Sequence, residues 1–524
     1  MPTTLSPKTV QWALEHFARH NDTDIFHKPF EFDALYHAGD QLIKRLAAQD
    51  IVQWTTRPLR LCLVPKQRYG FRLATQLDPL DMLFYFAIFL EAGERIEKAR
   101  LGADRRIAFS HRFRPDDSNY LVFDRDVRFA EFRLHCKELA EKYPFVVVTD
   151  ISDFYPRIYQ HRLESALSKA LPALPFHVKA FINLLKGWYQ KVSYGIPIGN
   201  TPSRLLAEIA IDDVDRMLLA EGIVFARYVD DYRIFCKSRQ EAYKCLVRLA
   251  NGLYASDGLT LQAQKTKILT SQEFVEQVLE TAAQRELHGL LDGFEGILQE
   301  LGIDNPYEDI DYFQLAPEIR QKIDGLNLES LLHQQLGRDE IDIPMTRFLI
   351  NRLGQIKRSE PLDALLAAID NLHPVLPEII RYVAEIGGGL SESRRQHIGD
   401  LLLSKLTDSV LGNLDFNKMQ IMALFAGSNQ WGNAENLAGY YGAGSGSFFQ
   451  RTLLLALGKN GQDYWLREKR VSLDQMPPWE RRAFLYAASC LQKDERTHWY
   501  NAVLKSRDEL EKYIIPWALK NPIA

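Results

Sequence analysis

The segment from Val224 to Cys236 reads VFARYVDDYRIFC and decides the fold of this chain. Mostly apolar residues fill both halves, and the acidic pair Asp230-Asp231 interrupts them in the middle. This pattern is typical of two strands that meet at a tight turn, so we predict a β-hairpin with two carboxylates at its tip. Charged residues are seldom placed against apolar strands without a partner or a metal ion.

A second apolar run, Phe145 to Thr149, ends directly before Asp150. If this strand and the hairpin are neighbours in one sheet, the carboxylates of Asp150, Asp230 and Asp231 meet at one point. A nucleotidyltransferase must neutralise the attacking oxygen, the α-phosphate and the leaving pyrophosphate, which two Mg²⁺ ions about 3.5–4 Å apart can do. We therefore predict that these three residues are catalytic and bind two Mg²⁺ ions, with Mn²⁺ as the alternative.

The chain divides into three regions by sequence pattern. Residues 1–50 have apolar positions at three- and four-residue spacing, which predicts helices. Residues 51–275 mix short β-rich runs with helices, and residues 276–524 contain leucine- and alanine-rich segments separated by glycine and proline breaks. We predict an α+β fold that ends in an all-α domain of stacked helix pairs, resembling a HEAT-like solenoid.

Composition narrows the class of protein. With 524 residues and 46% hydrophobic content the chain can bury a large core, and a formal charge of −4 argues against indiscriminate binding to nucleic acid. The N-terminus lacks the pattern of a signal peptide, and the longest apolar stretch, Met82 to Leu90, is much shorter than the about 20 residues that span a bilayer. We expect a cytoplasmic protein without membrane contact.

The five scattered cysteines predict buried thiols rather than a zinc site or disulfides.

Basic and aromatic residues concentrate upstream of the acidic positions. Between Ile51 and Leu77 there are five basic residues and no acidic ones. Guanidinium groups match phosphates bidentately, so Lys66, Arg68 and Arg72 are candidates for binding the triphosphate. A solvated charged strand is the alternative interpretation.

Four segments resemble, in order, the motifs of reverse transcriptases. The resemblance covers about residues 60–270 and implies a right-hand polymerase whose fingers and palm occupy residues 51–275. The segments resembling motifs A, B, C and D are Asp150–Tyr155 (DISDFY), Gly195–Arg204 (GIPIGNTPSR), Tyr228–Asp231 (YVDD) and Leu259–Lys267 (LTLQAQKTK).

The resemblance assigns roles to single residues. It implies that Asp150 and Asp230 bind both metal ions with Asp231 in support, that Tyr155 excludes a ribose 2′-hydroxyl, and that Lys265 protonates pyrophosphate. The alternative for Tyr155 is a tyrosine of the protein core, and the alternative for Lys265 is a solvated surface lysine. The further nucleotide contacts implied are Lys66, Arg68, Arg72, Asp153, Phe154, Pro197 and Gly199.

Details of the motifs resemble the bacterial abortive-infection, defence-associated reverse transcriptases. Ile198 stands where common reverse transcriptases carry a glutamine that touches nucleotide and template. The resemblance implies an anti-phage polymerase with a HEAT-like domain in place of the thumb, forming trimeric or hexameric homo-oligomers. It also implies dNTP addition without a template, primed by a tyrosine, so that single-stranded DNA stays attached to the protein.

Several alternatives remain open at this level. Tyr36, Tyr69, Tyr85 and Tyr120 precede the catalytic strands, and we favour Tyr36 as the priming residue because it lies outside the palm. The enzyme could instead copy a bound non-coding RNA. The alternative from another class of function is a protein without catalysis. It would be an inactive polymerase that acts as an interaction scaffold through its helical half.

Overall fold

The computed structural model describes residues 3–190, 192–301, 303, 310, 312–407, 409–442 and 446–523. The chain divides into two compact units. The first comprises Met1–Leu61 and Ala74–Thr281, and the second comprises Cys62–Leu73 and Ala282–Ala524.

Strands occur in the first 281 residues. They are β1 (Arg60–Gln67), β2 (Gly70–Gln76), β3 (Phe113–Asp116), β4 (Leu121–Phe123), β5 (Phe145–Asp150), β6 (Val224–Tyr228), β7 (Asp231–Cys236) and β8 (Lys267–Thr270). The helices of the first unit are α1 (Pro7–Arg19), α2 (Glu31–Ala47), α3 (Pro79–Ala99), α4 (Phe129–Ala140), α5 (Phe154–Arg157), α6 (Gln160–Ala170), α7 (Pro175–Trp188), α8 (Thr201–Ala210), α9 (Asp212–Ala220), α10 (Arg239–Asp257) and α11 (Ser271–Phe274).

A four-stranded antiparallel sheet in the order β6-β7-β5-β8 belongs to the first unit. The predicted hairpin is present as β6 and β7, and β5 pairs with β7 along its whole length. Val146 lies opposite Phe235, and both join a buried cluster with Phe132 of α4 and Phe274 of α11. Burial of each such side chain stabilises the fold by about 1.5–3 kcal/mol, so packing under the sheet holds the strand ends in place.

Helix α3 is apolar on nearly all sides and is therefore buried through most of its length. Asp78 caps it by accepting a hydrogen bond from the Leu80 amide at 3.1 Å. This helix contains the longest apolar stretch of the sequence. Among the described residues, no helix has both the length and the apolar character to cross a membrane.

The N-terminal helices pack into the first unit. Phe17 of α1 stacks on Phe32 of α2 at 4.5 Å and contacts Phe86 of α3 at 5.0 Å, so α1 and α2 share a core with α3. The division into residues 1–50, 51–275 and 276–524 stays a prediction. The tip of the β1–β2 hairpin groups with the helical unit, because Arg68 donates to the Asp339 carbonyl at 2.7 Å and its own carbonyl lies 2.9 Å from His373 Nε2.

Every regular element in the described part of residues 282–523 is a helix. Six helices of this region pack in sequence so that each contacts the next: Ile343–Gln355, Leu376–Ile386, Asp415–Gly427, Ser447–Lys459, Pro478–Ala487 and Glu509–Lys520. A row of this kind is what stacked helical units produce, and the HEAT-like assignment remains a prediction. The helices are α12 (Ala282–Glu300), α13 (Pro317–Gly325), α14 (Leu328–Leu336), α15 (Ile343–Gln355), α16 (Leu362–Ala367), α17 (Leu376–Ile386), α18 (Glu392–Ser404), α19 (Asp415–Gly427), α20 (Ala434–Leu437), α21 (Ser447–Lys459), α22 (Asp463–Lys469), α23 (Pro478–Ala487), α24 (Lys493–Val503) and α25 (Glu509–Lys520).

Candidate active site

The sheet brings two acidic residues together at one end of β5 and β7. Asp150 is the last residue of β5 and lies opposite Asp231, the first residue of β7. The Ile151 amide donates to the Asp230 carbonyl at 3.2 Å, which fixes the turn beside β5. Burial and the negative charge of Asp150 raise the pKa of Asp230 to about 7. Two carboxyl groups thus share a confined space that favours a cation.

The third carboxylate, Asp231, lies 3.4 Å from Arg233 Nη1, and Lys265 forms an ion pair with Asp150. The negative charges of all three carboxylates act on Lys265, and that of Asp231 also acts on Asp230. Among the described residues, no group of three or more His, Cys, Asp or Glu side chains is arranged to hold one metal ion. The binding of two Mg²⁺ ions by Asp150, Asp230 and Asp231 stays a prediction.

A segment after α10 carries Lys265 to the site. The Gln262 amide donates to the Asp150 carbonyl and the Ser152 amide to the Thr260 carbonyl, both at 2.8 Å, so this segment continues the sheet past β5. Burial disfavours the ammonium of Lys265, but its hydrogen bond and attraction to Asp150 outweigh this and raise its pKa. Lys265 is therefore protonated at neutral pH and half-exposed, as a proton donor would have to be.

The turn between β6 and β7 is strained. Val229 has φ +57°, a left-handed conformation that β-branched residues rarely adopt and that costs about 1–3 kcal/mol. Its amide donates to Ser110 Oγ at 2.8 Å, and its carbonyl accepts from Arg227 Nη1 at 3.1 Å. These two bonds hold the backbone that positions Asp230.

A buried ionic network contacts this turn, and the sequence motifs assigned none of its residues a role. Glu208 of α8 accepts from Arg100 Nη2 and Arg227 Nη1, both at 2.7 Å, and from the Ser110 hydroxyl. Arg227 Nε also donates to Asp215 at 2.7 Å. Burial opposes ionisation of Glu208, but the charges of Arg227 and Arg100 outweigh it and hold its pKa well below the usual range.

The sequence does contain a signal for this network. Glu208 lies in the apolar helix sequence LLAEIA, and Arg227 lies in the apolar strand sequence VFARYV. A charged residue inside an apolar element needs a buried partner of opposite charge. Pairing the two could have predicted the contact between α8 and β6.

Tyr155 lies beside the segment that resembles motif B. Its carbonyl accepts from the Ile196 amide at 3.1 Å. Burial, followed by the charge of Glu208, raises the pKa of Tyr155 strongly, with Asp230 contributing in the same direction. The ring therefore belongs to the surroundings of the carboxylate pair, and its hydroxyl stays protonated.

The neighbouring motif residues are held by backbone geometry. Asp153 has φ +47° and an exposed side chain, whereas the Phe154 side chain is buried, so only the backbone of Phe154 is available to a ligand. Pro197 is buried, and Gly199 has φ +98°, a conformation that favours glycine. Their nucleotide contacts stay predictions.

The basic residues of the β1–β2 hairpin differ in what they contact. Arg68 is engaged within the helical unit, where it also lies 3.3 Å from Asn371 Oδ1. The side chains of Lys66 and Arg72 are exposed. Their binding to a triphosphate stays a prediction, and Arg68 would have to exchange its present partners to take part.

The four tyrosines considered for priming have different environments. Tyr85 is fully buried, with its hydroxyl 3.3 Å from Ser203 Oγ, so it is not accessible as a primer. Tyr36 is 46% exposed and donates to Glu15 Oε1 at 3.3 Å, and Tyr69 is 83% exposed. Tyr120 is half-buried, and the Arg19 guanidinium lies 4.3 Å from its ring centre. Priming by Tyr36 stays a prediction, with Tyr69 and Tyr120 as alternatives.

Part of the chain matches a known protein family. Residues 103–290 match the family model of reverse transcriptase (RNA-dependent DNA polymerase). Similar solved structures include a telomerase from Candida albicans in complex with a TWJ fragment of telomeric RNA and an apo telomerase from Candida tropicalis, each at 12% identity and a TM-score of 0.32. The similarity covers 68% of this chain and 65% and 67% of those chains. No curated protein matches the sequence.

The matched residues 103–290 include the four-stranded sheet, the strained turn and the pair of carboxyl groups. The reactive geometry and the family match therefore fall on the same part of the chain. Residues 103–290 match a reverse transcriptase domain, and domains of this kind are nucleotidyltransferases that act on nucleotide substrates.

Proposed function

We propose that this chain is a DNA polymerase of the reverse-transcriptase kind that adds dNTPs by two-metal catalysis in anti-phage defence, without a template and with a tyrosine as primer. The observation that carries the polymerase assignment is the position of Asp150 at the end of paired strands, opposite Asp231 and beside the turn that carries Asp230. Untemplated synthesis, protein priming and the defence role rest on the motifs of the sequence, above all Ile198 in the segment resembling motif B.

Asp150 and Asp230 fit the role of Mg²⁺ ligands, because they are hard oxygen donors whose shared space already attracts the ammonium of Lys265. Asp231 would join them by leaving Arg233. When bound, the two ions neutralise the charge that builds up on the attacking oxygen and on the leaving pyrophosphate. The protein itself orients these carboxylates through the turn at Val229 and supplies a proton from Lys265 to the departing group.

Tyr155 supplies sugar selectivity in this proposal. An aromatic face against C2′ leaves no room for a hydroxyl, so Tyr155→Ala is expected to reduce discrimination against ribonucleotides by on the order of 10²-fold. Competition between each dNTP and its rNTP during primer extension would measure this ratio. The exposed Tyr254→Ala, at 70% exposure, serves as the control and should keep the wild-type ratio. An unchanged ratio in Tyr155→Ala would identify a core tyrosine instead.

Priming is tested by the attachment of DNA to the protein. The purified protein, with and without prior nuclease treatment, is incubated with labelled dNTPs and Mg²⁺ and analysed on a denaturing gel. We expect label to migrate with the protein regardless of nuclease, and Tyr36→Phe to remove it while Tyr69→Phe does not. Nuclease-sensitive synthesis of one defined sequence would instead favour copying of a bound non-coding RNA.

The same gel after native fractionation would show whether the active species is a trimer or hexamer.

A further inference from the structure

The loop between α1 and α2 packs directly on the segment resembling motif B. Thr23 forms an antiparallel bridge with Asn200. A Cβ atom at Gly199 would lie 3.0 Å from Ile25 Cδ1, so the loop and the glycine are already in van der Waals contact. Residues of the N-terminal segment therefore line the same surface as residues of the segment resembling motif B.

This loop presents a charged pair on an ordered support. Asp24 Oδ2 lies 3.1 Å from Arg204 Nη2. The Thr23 hydroxyl accepts from the Ile25 and Phe26 amides at 3.2 and 3.1 Å, which fixes the loop. Asn200 caps α8 by accepting from the Ser203 amide at 3.1 Å, which fixes the helix carrying Arg204. The pair is nevertheless open to solvent, since the two side chains are 61% and 29% exposed.

The pair lies close to the predicted sugar gate. The segment that precedes Arg204 packs on the backbone around Tyr155, because the Ile196 amide donates to the Tyr155 carbonyl at 3.1 Å and a Cβ atom at Gly195 would lie 3.2 Å from the Pro156 carbonyl. A Cβ atom at Gly199 would lie 3.6 Å from Asp24 Oδ1, so Asp24 borders the same segment. The charges of Asp24 and Arg204 also act on the Tyr155 hydroxyl. In the proposed function, the pair therefore borders the segment beside which a nucleotide would lie.

We propose that Asp24 and Arg204 select the base of the incoming dNTP, favouring bases that present an amino group beside a ring-nitrogen acceptor, as adenine and cytosine do. A carboxylate accepts from the amino group while a guanidinium donates to the ring nitrogen, and both groups are available here side by side. Thymine has no amino group, and on the Watson–Crick edge of guanine the ring nitrogen beside the amino group carries a proton and cannot accept. This inference rests on the proposed untemplated synthesis, in which discrimination between bases has to come from the protein.

The apolar neighbours of the pair fit this role. Ile25, which is buried, and Ile198, which is half-buried, have no side-chain hydrogen-bonding groups, so polar discrimination falls to Asp24 and Arg204. A well-placed pair of hydrogen bonds is worth about 1–3 kcal/mol of discrimination, which corresponds to a preference on the order of 10- to 100-fold. We expect a preference of this size for dATP or dCTP over dTTP.

The test measures kcat/KM for each dNTP with the nuclease-treated, full-length protein and Mg²⁺. Asp24→Asn is expected to reduce the preference to within a few-fold, with dTTP incorporation retained. The double variant Asp24→Arg with Arg204→Asp keeps the ion pair that anchors the loop but exchanges donor and acceptor, so it should change which base is preferred. Asp33→Asn, which removes a neighbouring pair with Lys28 at 3.0 Å, is the matched control and should keep the wild-type preference.

Two results would overturn the inference. One is a wild-type base preference in Asp24→Asn. The other is a double variant that recovers both the rate and the original preference, because the pair would then only anchor the loop. Wild-type protein that incorporates no dNTP at all would instead remove the proposed function on which the inference rests. Thermal unfolding of every variant separates loss of selectivity from loss of folding.

Discussion

Asp230→Asn is expected to reduce dNTP incorporation by on the order of 10³-fold or more. The substitution keeps the shape of the side chain but removes the negative charge that Mg²⁺ requires in the pair with Asp150. Electrostatic stabilisation of this kind contributes several kcal/mol to a phosphoryl-transfer barrier. Rates of labelled dNTP incorporation at saturating Mg²⁺ provide the measurement.

The control for this prediction is Asp213→Asn, in the Asp-Asp pair formed by Asp212 and Asp213. Asp213 is 61% exposed and forms a surface ion pair with Lys169 at 2.9 Å, a contact worth little to stability or catalysis. Its activity should equal that of the wild type. If Asp230→Asn keeps a tenth or more of the activity, the carboxyl pair is not the catalytic centre. Full biological activity in that variant would favour the interaction scaffold.

Glu208→Gln is expected to lower the free energy of unfolding by about 3–5 kcal/mol, because it leaves buried Arg100 and Arg227 without their shared counter-charge. Urea denaturation of the purified protein gives this difference. The same variant should also lose activity, since Arg227 supports the strained turn at Val229. Glu221→Gln, which removes an exposed pair with Arg248, should change stability by less than about 1 kcal/mol.

The pH dependence of this effect has a definite sign. The folded-state pKa of Glu208 lies below the ordinary glutamate value of about 4.3, so its contribution to stability is present above that value and is lost as the pH falls through the folded-state pKa. The stability difference between wild type and Glu208→Gln should therefore shrink when the pH is lowered below about 4. A difference that grows under acid conditions would contradict the ionised network.

Local pattern alone predicted much of the four-stranded sheet. Apolar runs and turn chemistry identified β5, β6 and β7, and the position of Asp150 beside the turn of the hairpin followed from placing those strands in one sheet. The helical character of the described residues beyond 281 likewise followed from composition and breaks. These features depend on near neighbours along the chain, whose preferences are written in the sequence.

The tertiary structure decided what depends on contacts between distant residues. It placed Arg233 beside Asp231, buried Tyr85, and grouped the tip of the β1–β2 hairpin with the helical unit. It also set the loop at Asp24 against Arg204, 180 positions away in the chain. Such contacts are fixed by the balance of burial, charge and packing over the whole fold, and no local pattern encodes that balance.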